Sequence, residues 1–225
     1  MRETPAIYND IVKAHYIEPM SMDHCNWVYA VLDGEKEVDL RVHEADGFML
    51  QKDYKFNEGD IATLYCLAFP KQRDLRTVRD LTGAHLPLLK AIRDESLTAI
   101  ESTFKVNRSK ILSYFHYQPT FYHLHVHFVH VDCSTRDTRD SVSLDGVIAN
   151  LEMLSDYYQR ATMTYKIGTQ MPLFKVLCEK GVLEPEPVEE TKEEEPAATK
   201  EETPKTEEGK ASGEVDPAEE SAEAA

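Results

Sequence analysis

The chain has 225 residues and a formal net charge of −16, unevenly placed. Residues 181–225 are mostly Glu, Pro, Ala, Thr and Lys, with no aromatic side chain and 16 acidic against 4 basic groups. Such a segment cannot bury enough apolar surface to fold, so 181–225 is expected to be a disordered acidic tail, its partner unknown.

Residues 1–180 carry 25 acidic and 21 basic groups and suffice for one compact α/β or α+β domain. A weakly acidic body speaks against broad binding of nucleic acid through its backbone, but not against a small anion held by local cations. The N-terminus has no apolar signal region, and the longest mostly apolar run, near Ala62–Phe69, is too short to span a bilayer; no membrane role is expected. Cys25, Cys66, Cys133 and Cys178 are widely spaced with no C-x-x-C, so reduced thiols in cytosol or nucleus are expected.

In chain order, Tyr8–Ile17 reads as a helix. Cys25–Leu32 pairs Trp27 with Val31 and Val28 with Leu32 at i,i+4, favouring a short helix ended by Gly34, with a hairpin through Asp33-Gly34 as the alternative. Val38–His43 and Gly47–Gln51 read as strands around Glu44-Ala45-Asp46. In an extended backbone after them, Asp53 and Lys55 would share a side. Thr82 is a plausible N-cap for the longest helix, with Pro87 in its first turns and Leu86, Leu89, Ile92, Leu97, Ile100 and Phe104 as its core face. Ile111–Tyr117 is the next strand, followed by the turn Gln118-Pro119-Thr120. Asp132–Asp140 reads as a loop, Ser143 caps a helix, Ala161–Ile167 is a last strand and Pro172–Lys180 a final helix.

Residues 121–131, Phe-Tyr-His-Leu-His-Val-His-Phe-Val-His-Val, alternate with period two, which predicts a strand antiparallel to the one before it. One face would carry His123, His125, His127, Val129 and Val131; the other, a packing face, Tyr122, Leu124, Val126, Phe128 and His130. Three imidazoles in register sacrifice burial, which argues against a purely structural reason. Zinc binding is one reading, since an H-x-H pair on a strand can chelate, but no Cys, Asp or Glu lies inside the stretch. Covalent phosphate chemistry is the other, one imidazole attacking phosphorus while its neighbours hold the oxygens. The pattern His-φ-His-φ-His-φ-φ, with φ apolar, is also the signature of the histidine triad superfamily, and this favours the phosphate reading.

The run Ser113–Phe128 closely resembles the scavenger mRNA decapping enzymes. So do Trp27-Val28-Tyr29 with Leu32-Asp33, Asp46-Gly47-Phe48, Asp53-x-Lys55, and Arg79-Asp80-Leu81-Thr82 with His85–Leu89. The resemblance implies an α+β histidine triad fold over 1–180. It also implies hydrolysis of the triphosphate bridge of short 7-methylguanosine-capped RNA fragments or cap dinucleotides, releasing 7-methyl-GMP without metal or cofactor. His125 would be the nucleophile, His123 and His127 would hold phosphate oxygens, and His116 would support them. Trp27 would stack on the cationic methylated base. Glu37 would accept from its N–H groups, Asp53 would contact ribose and Lys55 the phosphate bridge. Thr120-Phe121 stands where the family usually has Ser-Tyr, so a hydroxyl is lost at Phe121 and kept at Thr120.

The loop 132–142 shows little likeness, and Arg136 and Arg139 read as solvated charges rather than phosphate ligands. The family's N-terminal domain, exchanged between subunits of a dimer as a lid over the cap, has no counterpart here. The resemblance thus implies a homodimer but also two rivals: a general histidine triad nucleotide hydrolase or transferase, and a cap-binding module with little catalysis.

Overall fold

The computed structural model describes residues 1–20, 22–135 and 140–185. Arg136, Arg139 and nearly all of the expected tail lie outside the described residues. The strands are β1 (Arg2–Glu3), β2 (Arg41–Glu44), β3 (Phe48–Lys52), β4 (Tyr65–Pro70), β5 (Ile111–His116), β6 (Val126–His130), β7 (Ser141–Ser143) and β8 (Met163–Thr164). β1 pairs with β8, and the other six form one antiparallel sheet in the order β2-β3-β4-β6-β5-β7. The α-helices are α1 (Pro5–Ile7), α2 (Asn26–Leu32), α3 (Leu86–Phe104), α4 (Leu144–Met153), α5 (Tyr157–Arg160) and α6 (Pro172–Glu179). The class is α+β, as the sequence led one to expect.

β4 is buried at all six positions and β6 at all five, because both faces of the sheet are covered. On one face Leu50, Cys66, Ala68, Phe115, Val126 and Phe128 pack against Leu89, Ile92 and Ile100 of α3 and Val147, Ile148 and Leu151 of α4. On the other, Met49, Tyr65, Leu67, Phe69, Tyr114 and Val129 pack against Val28 and Val31 of α2. A strand buried on both faces is a continuous apolar run without alternation, which is why Ala62–Phe69 shows in the sequence as hydrophobic but not as a strand.

Several helices form as their end signals dictate. Pro87 sits in the first turn of α3, behind a 3₁₀ turn at Gly83–His85 in which Thr82 N–H donates to His85 Nδ1. Ser143 Oγ accepts from Gly146 N–H at the start of α4. α2 is the helix and not the hairpin, and Gly34 follows it at φ +76°. Tyr8–Ile17 is helical in the wider π form, and Val12 and Ile17 pack there on Leu173 and Leu177 of α6.

Four expectations change. The histidine strand is only Val126–His130; Phe121–His125 leave the sheet. The ladder with β4 ends at Ala68↔Val126, two residues short of Pro70, which has no N–H to extend it. Leu124 N–H turns instead to Leu75 O, 2.8 Å away. Second, Val38–Leu40 is a 3₁₀ turn entered through Glu37 at φ +54°, and β2 starts at Arg41. Third, Asp53 and Lys55 lie in a turn, not an extended run: Asp53 Oδ1 accepts from Lys55 N–H at 2.9 Å, an Asx turn. Fourth, the last strand shrinks to Met163–Thr164, because its partner β1 offers two residues.

Phe128 is fully buried in the larger core. Phe128→Ala is expected to destabilise the fold by about 3–5 kcal/mol, whereas Met153→Ser, at a position 75% exposed, should change it by less than about 0.5 kcal/mol. Urea unfolding of the two variants beside the wild type measures both.

Candidate active site

β6 hands over its histidines at the edge of the face covered by α2. His127 stands on the strand, opposite Leu67 of β4 and Tyr114 of β5. Its Nδ1 lies 2.9 Å from Tyr65 Oη, and the Tyr114 ring stacks on it at 5.2 Å and 7°. Its Nε2 is buried with no hydrogen-bond partner. The His116 ring, from the end of β5, is 4.4 Å from that of His127, and His125 is 4.9 Å away on the other side.

His125 and His123 sit on the loop before β6, and their backbone exit from the sheet sets their tautomers. The carbonyl of His123 accepts from His125 Nδ1 at 2.8 Å, so His125 Nδ1 carries the hydrogen and Nε2 holds a lone pair. Burial, less the effect of that bond, holds His125 down to about 4, so it is neutral at pH 7. Phe121 covers one face of the ring at 4.1 Å and 13°. His123 Nε2 donates to Pro70 O at 2.9 Å, and the ring packs on Tyr29 and Phe69. Burial lowers its pKa too, and a neutral His123 in this state has no hydrogen left for a phosphate oxygen. Burial likewise pushes His127 well below the usual range.

A cleft of about 630 Å³ opens over this cluster, lined by His116, His127, Lys55, Tyr65, Gln118 and Thr120, with Lys166 among its further residues. Lys55 Nζ lies 4.7 Å from the centre of the Tyr65 ring, which places a cation beside the tyrosine that orients His127. Asp53 is half-buried; burial raises its pKa and the charge of Glu37 adds to this, against the Lys55 N–H bond and charge. Glu37 is exposed, with Oε2 accepting from Gln51 Nε2 at 2.9 Å. Trp27 is 38% exposed and meets Phe121 edge-on at 5.0 Å. An aromatic path therefore runs from Trp27 through Phe121 to His125.

All ten residues singled out in the sequence are thus tied together by contact, shared cleft or charge, His123 joining through its carbonyl and holding the loop from behind. Sequence reasoning missed Tyr65 and Phe69. The Phe69 ring lies 6.1–6.4 Å from those of Trp27, Phe121, His123 and His125, a common floor for all four. It also missed Gln118 and Lys166 in the cleft wall. The available signal was the continuous apolar run of Tyr65–Phe69, which fits a strand buried on both faces. Among the described residues, no three His, Cys, Asp or Glu side chains are arranged to hold a metal ion.

An antiparallel α+β domain with an H-x-H-x-H cluster at the end of a central strand defines a histidine triad protein. A family profile described as "Scavenger mRNA decapping enzyme C-term binding" matches residues 26–141, and the chain belongs to this family. It is 40% identical over 181 residues to an m7GpppX diphosphatase of Ascaris suum, covering 78% of this chain and 60% of that protein. Over 171 residues it is 40% identical to the enzyme of that name from Caenorhabditis elegans, covering 73% and 54%. The chain thus spans little more than half the length of these relatives. A solved structure of an aprataxin ortholog, Hnt3, in complex with DNA bears a loose likeness, with 14% identity, TM-score 0.40 and coverage of 71% of this chain and 94% of that one.

The depressed imidazoles make stability depend on pH. The unfolded chain binds protons near 6.5, whereas folded His125 refuses one until about pH 4. Its contribution is complete above 6.5 and is lost as pH falls through that window, roughly 3 kcal/mol in all. His123 and His127 act in the same direction. Urea midpoints measured between pH 7.5 and 4 should fall with pH, and less steeply in His125→Asn; equal slopes would contradict the assignment.

Proposed function

We propose that this domain hydrolyses the triphosphate bridge of 7-methylguanosine-capped RNA fragments or cap dinucleotide, releasing 7-methyl-GMP. The observation that carries the reading is His125 itself: neutral, with Nδ1–H held by a backbone carbonyl and the Nε2 lone pair left for attack. The names of the relatives support the substrate class.

In this reading His125 Nε2 attacks the phosphorus attached to 7-methylguanosine. The bond to the bridging oxygen breaks, and the remaining nucleotide leaves with that oxygen as a terminal diphosphate. The covalent imidazole is then cationic, and the His123 carbonyl on Nδ1–H stabilises it. Water attacks the same phosphorus, gives up a proton, and returns His125 with release of 7-methyl-GMP. With Tyr65 Oη–H donating to Nδ1, His127 presents Nε2–H to a phosphoryl oxygen as charge develops there. Thr120 and Lys55 add a hydroxyl and a charge from the cleft wall, with His116 beside His127. His123 serves by positioning the loop.

Trp27 offers a partly open indole face for the cationic base, one ring away from the one covering His125. Glu37 would accept from the guanine N–H groups with its side chain braced by Gln51, and Asp53 would meet the ribose. Action in mRNA decay, in cytoplasm and nucleus, as an isologous dimer, belongs to the same proposal. The four cysteines, all unpaired, support a reducing compartment.

Incubation with 7-methylguanosine-capped dinucleotide and its unmethylated twin, with chelator present, tests the reading. Release of 7-methyl-GMP is expected from the wild type and not from His125→Asn. Trp27→Ala should lower kcat/KM for the methylated substrate selectively. Equal loss on both substrates would favour a general nucleotide hydrolase, and methyl-dependent binding without turnover a binding module.

A further inference from the structure

Beneath the cleft lies a buried charged group to which the chemistry above gives no role. Glu3, on β1, has no solvent exposure and pairs with the equally buried Arg79. Arg79 Nη2 donates to Glu3 Oε1 at 2.8 Å and Nε to the same oxygen at 3.2 Å. Arg79 Nη1 is committed to the carbonyls of Tyr158 and Ala161, at 2.7 and 2.6 Å. A buried carboxylate needs a counter-charge, and Arg79 alone meets that need.

Yet three more donors converge on Glu3. Tyr117 Oη donates to Oε1, while Gln118 Nε2 and Tyr165 Oη donate to Oε2, each at 3.0 Å. All three donors also line the cleft. Glu3 is therefore a common anchor behind one wall. Gln118 carries the link onward: its Oε1 accepts from Tyr122 Oη at 3.2 Å. The amide so spans the loop that carries Thr120 and Phe121, and Tyr122 immediately precedes His123.

We infer that Glu3 is a positioning residue for the histidine loop, acting through Gln118. A loop outside the sheet lacks a ladder to set its register, and the Glu3–Gln118–Tyr122 chain supplies an anchor at one end. His123 Nε2 on Pro70 O and Leu124 N–H on Leu75 O supply it at the other. A charged acceptor makes each bond stronger than a neutral one, so the loop is held in one arrangement with the His125 ring 4.9 Å from that of the cleft-lining His127.

The experiment compares the full chain with Glu3→Gln, Gln118→Met and the double variant, and rests on the proposed reaction for its kinetic arm. Gln118→Met keeps length and leaves the Glu3–Arg79 pair intact, so it folds even if Glu3→Gln does not. With capped dinucleotide, Gln118→Met should lower kcat on the order of 10- to 100-fold and change KM by less than about 3-fold. The double variant should be no slower than Glu3→Gln alone. Unchanged kcat in Gln118→Met, or losses that multiply in the double variant, would overturn the inference; multiplication would mean that Gln118 meets substrate independently of Glu3. Should the wild type release no 7-methyl-GMP, the reaction is wrong and the anchor is judged by imidazole NMR signals. Those of His123 and His125 should move in Gln118→Met while His43, paired with Glu95, stays; unmoved loop signals would overturn it.

Discussion

The hydrogen bond from His125 Nδ1 to the carbonyl of His123 is the contact on which the site turns. It fixes one tautomer and aims one lone pair, and it can form only because Phe121–His125 have left the sheet. In a regular strand, residue i and residue i+2 would point the same way with their backbone groups engaged by neighbours. Here the loop carbonyl is free to turn back on the next imidazole. The bond is local; the conditions that permit it come from Pro70, Leu75 and the end of the β4–β6 ladder.

Burial supplies the second condition. His123, His125 and His127 are almost wholly removed from water, and each is held neutral. Desolvation favours the neutral imidazole by more than the backbone acceptor favours the charged one, so His125 keeps its Nε2 lone pair at pH 7 without a base beside it. The same burial makes unpaired atoms expensive. His127 Nε2, on a residue that lines the cleft, and His123 Nδ1, behind the loop, are both buried without a partner.

The sheet keeps structural and chemical work apart. α3 and α4 take one face for the main core, while the other face carries Tyr65, Phe69, Tyr114 and the histidines beneath α2. Positive charge at the cleft comes from Lys55 and Lys166 within a weakly acidic body. Local placement, and not net charge, thus decides which sign of ligand the site attracts.

Much of this was legible in the chain because it rests on short-range signals. Pro87, Ser143 and Gly34 mark helix ends through backbone geometry and capping, and the spacing of Leu89, Ile92 and Ile100 marks the buried side of α3. His123, His125 and His127 at period two pointed to a candidate site, since three imidazoles in register sacrifice burial. Tertiary structure alone decided where those imidazoles sit and which atoms meet them. The pattern placed all three on one strand face, but Pro70 ends the ladder and sends two of them into a loop. β4 escaped notice because burial on both faces erases alternation. Glu37 near Asp53, Tyr65 on His127 and Glu3 under Gln118 join residues 16 to 115 positions apart, and no local period records such distances. The residues that carry chemistry are determined by sequence; their tautomers, protonation and aim depend on which distant atoms the fold brings against them.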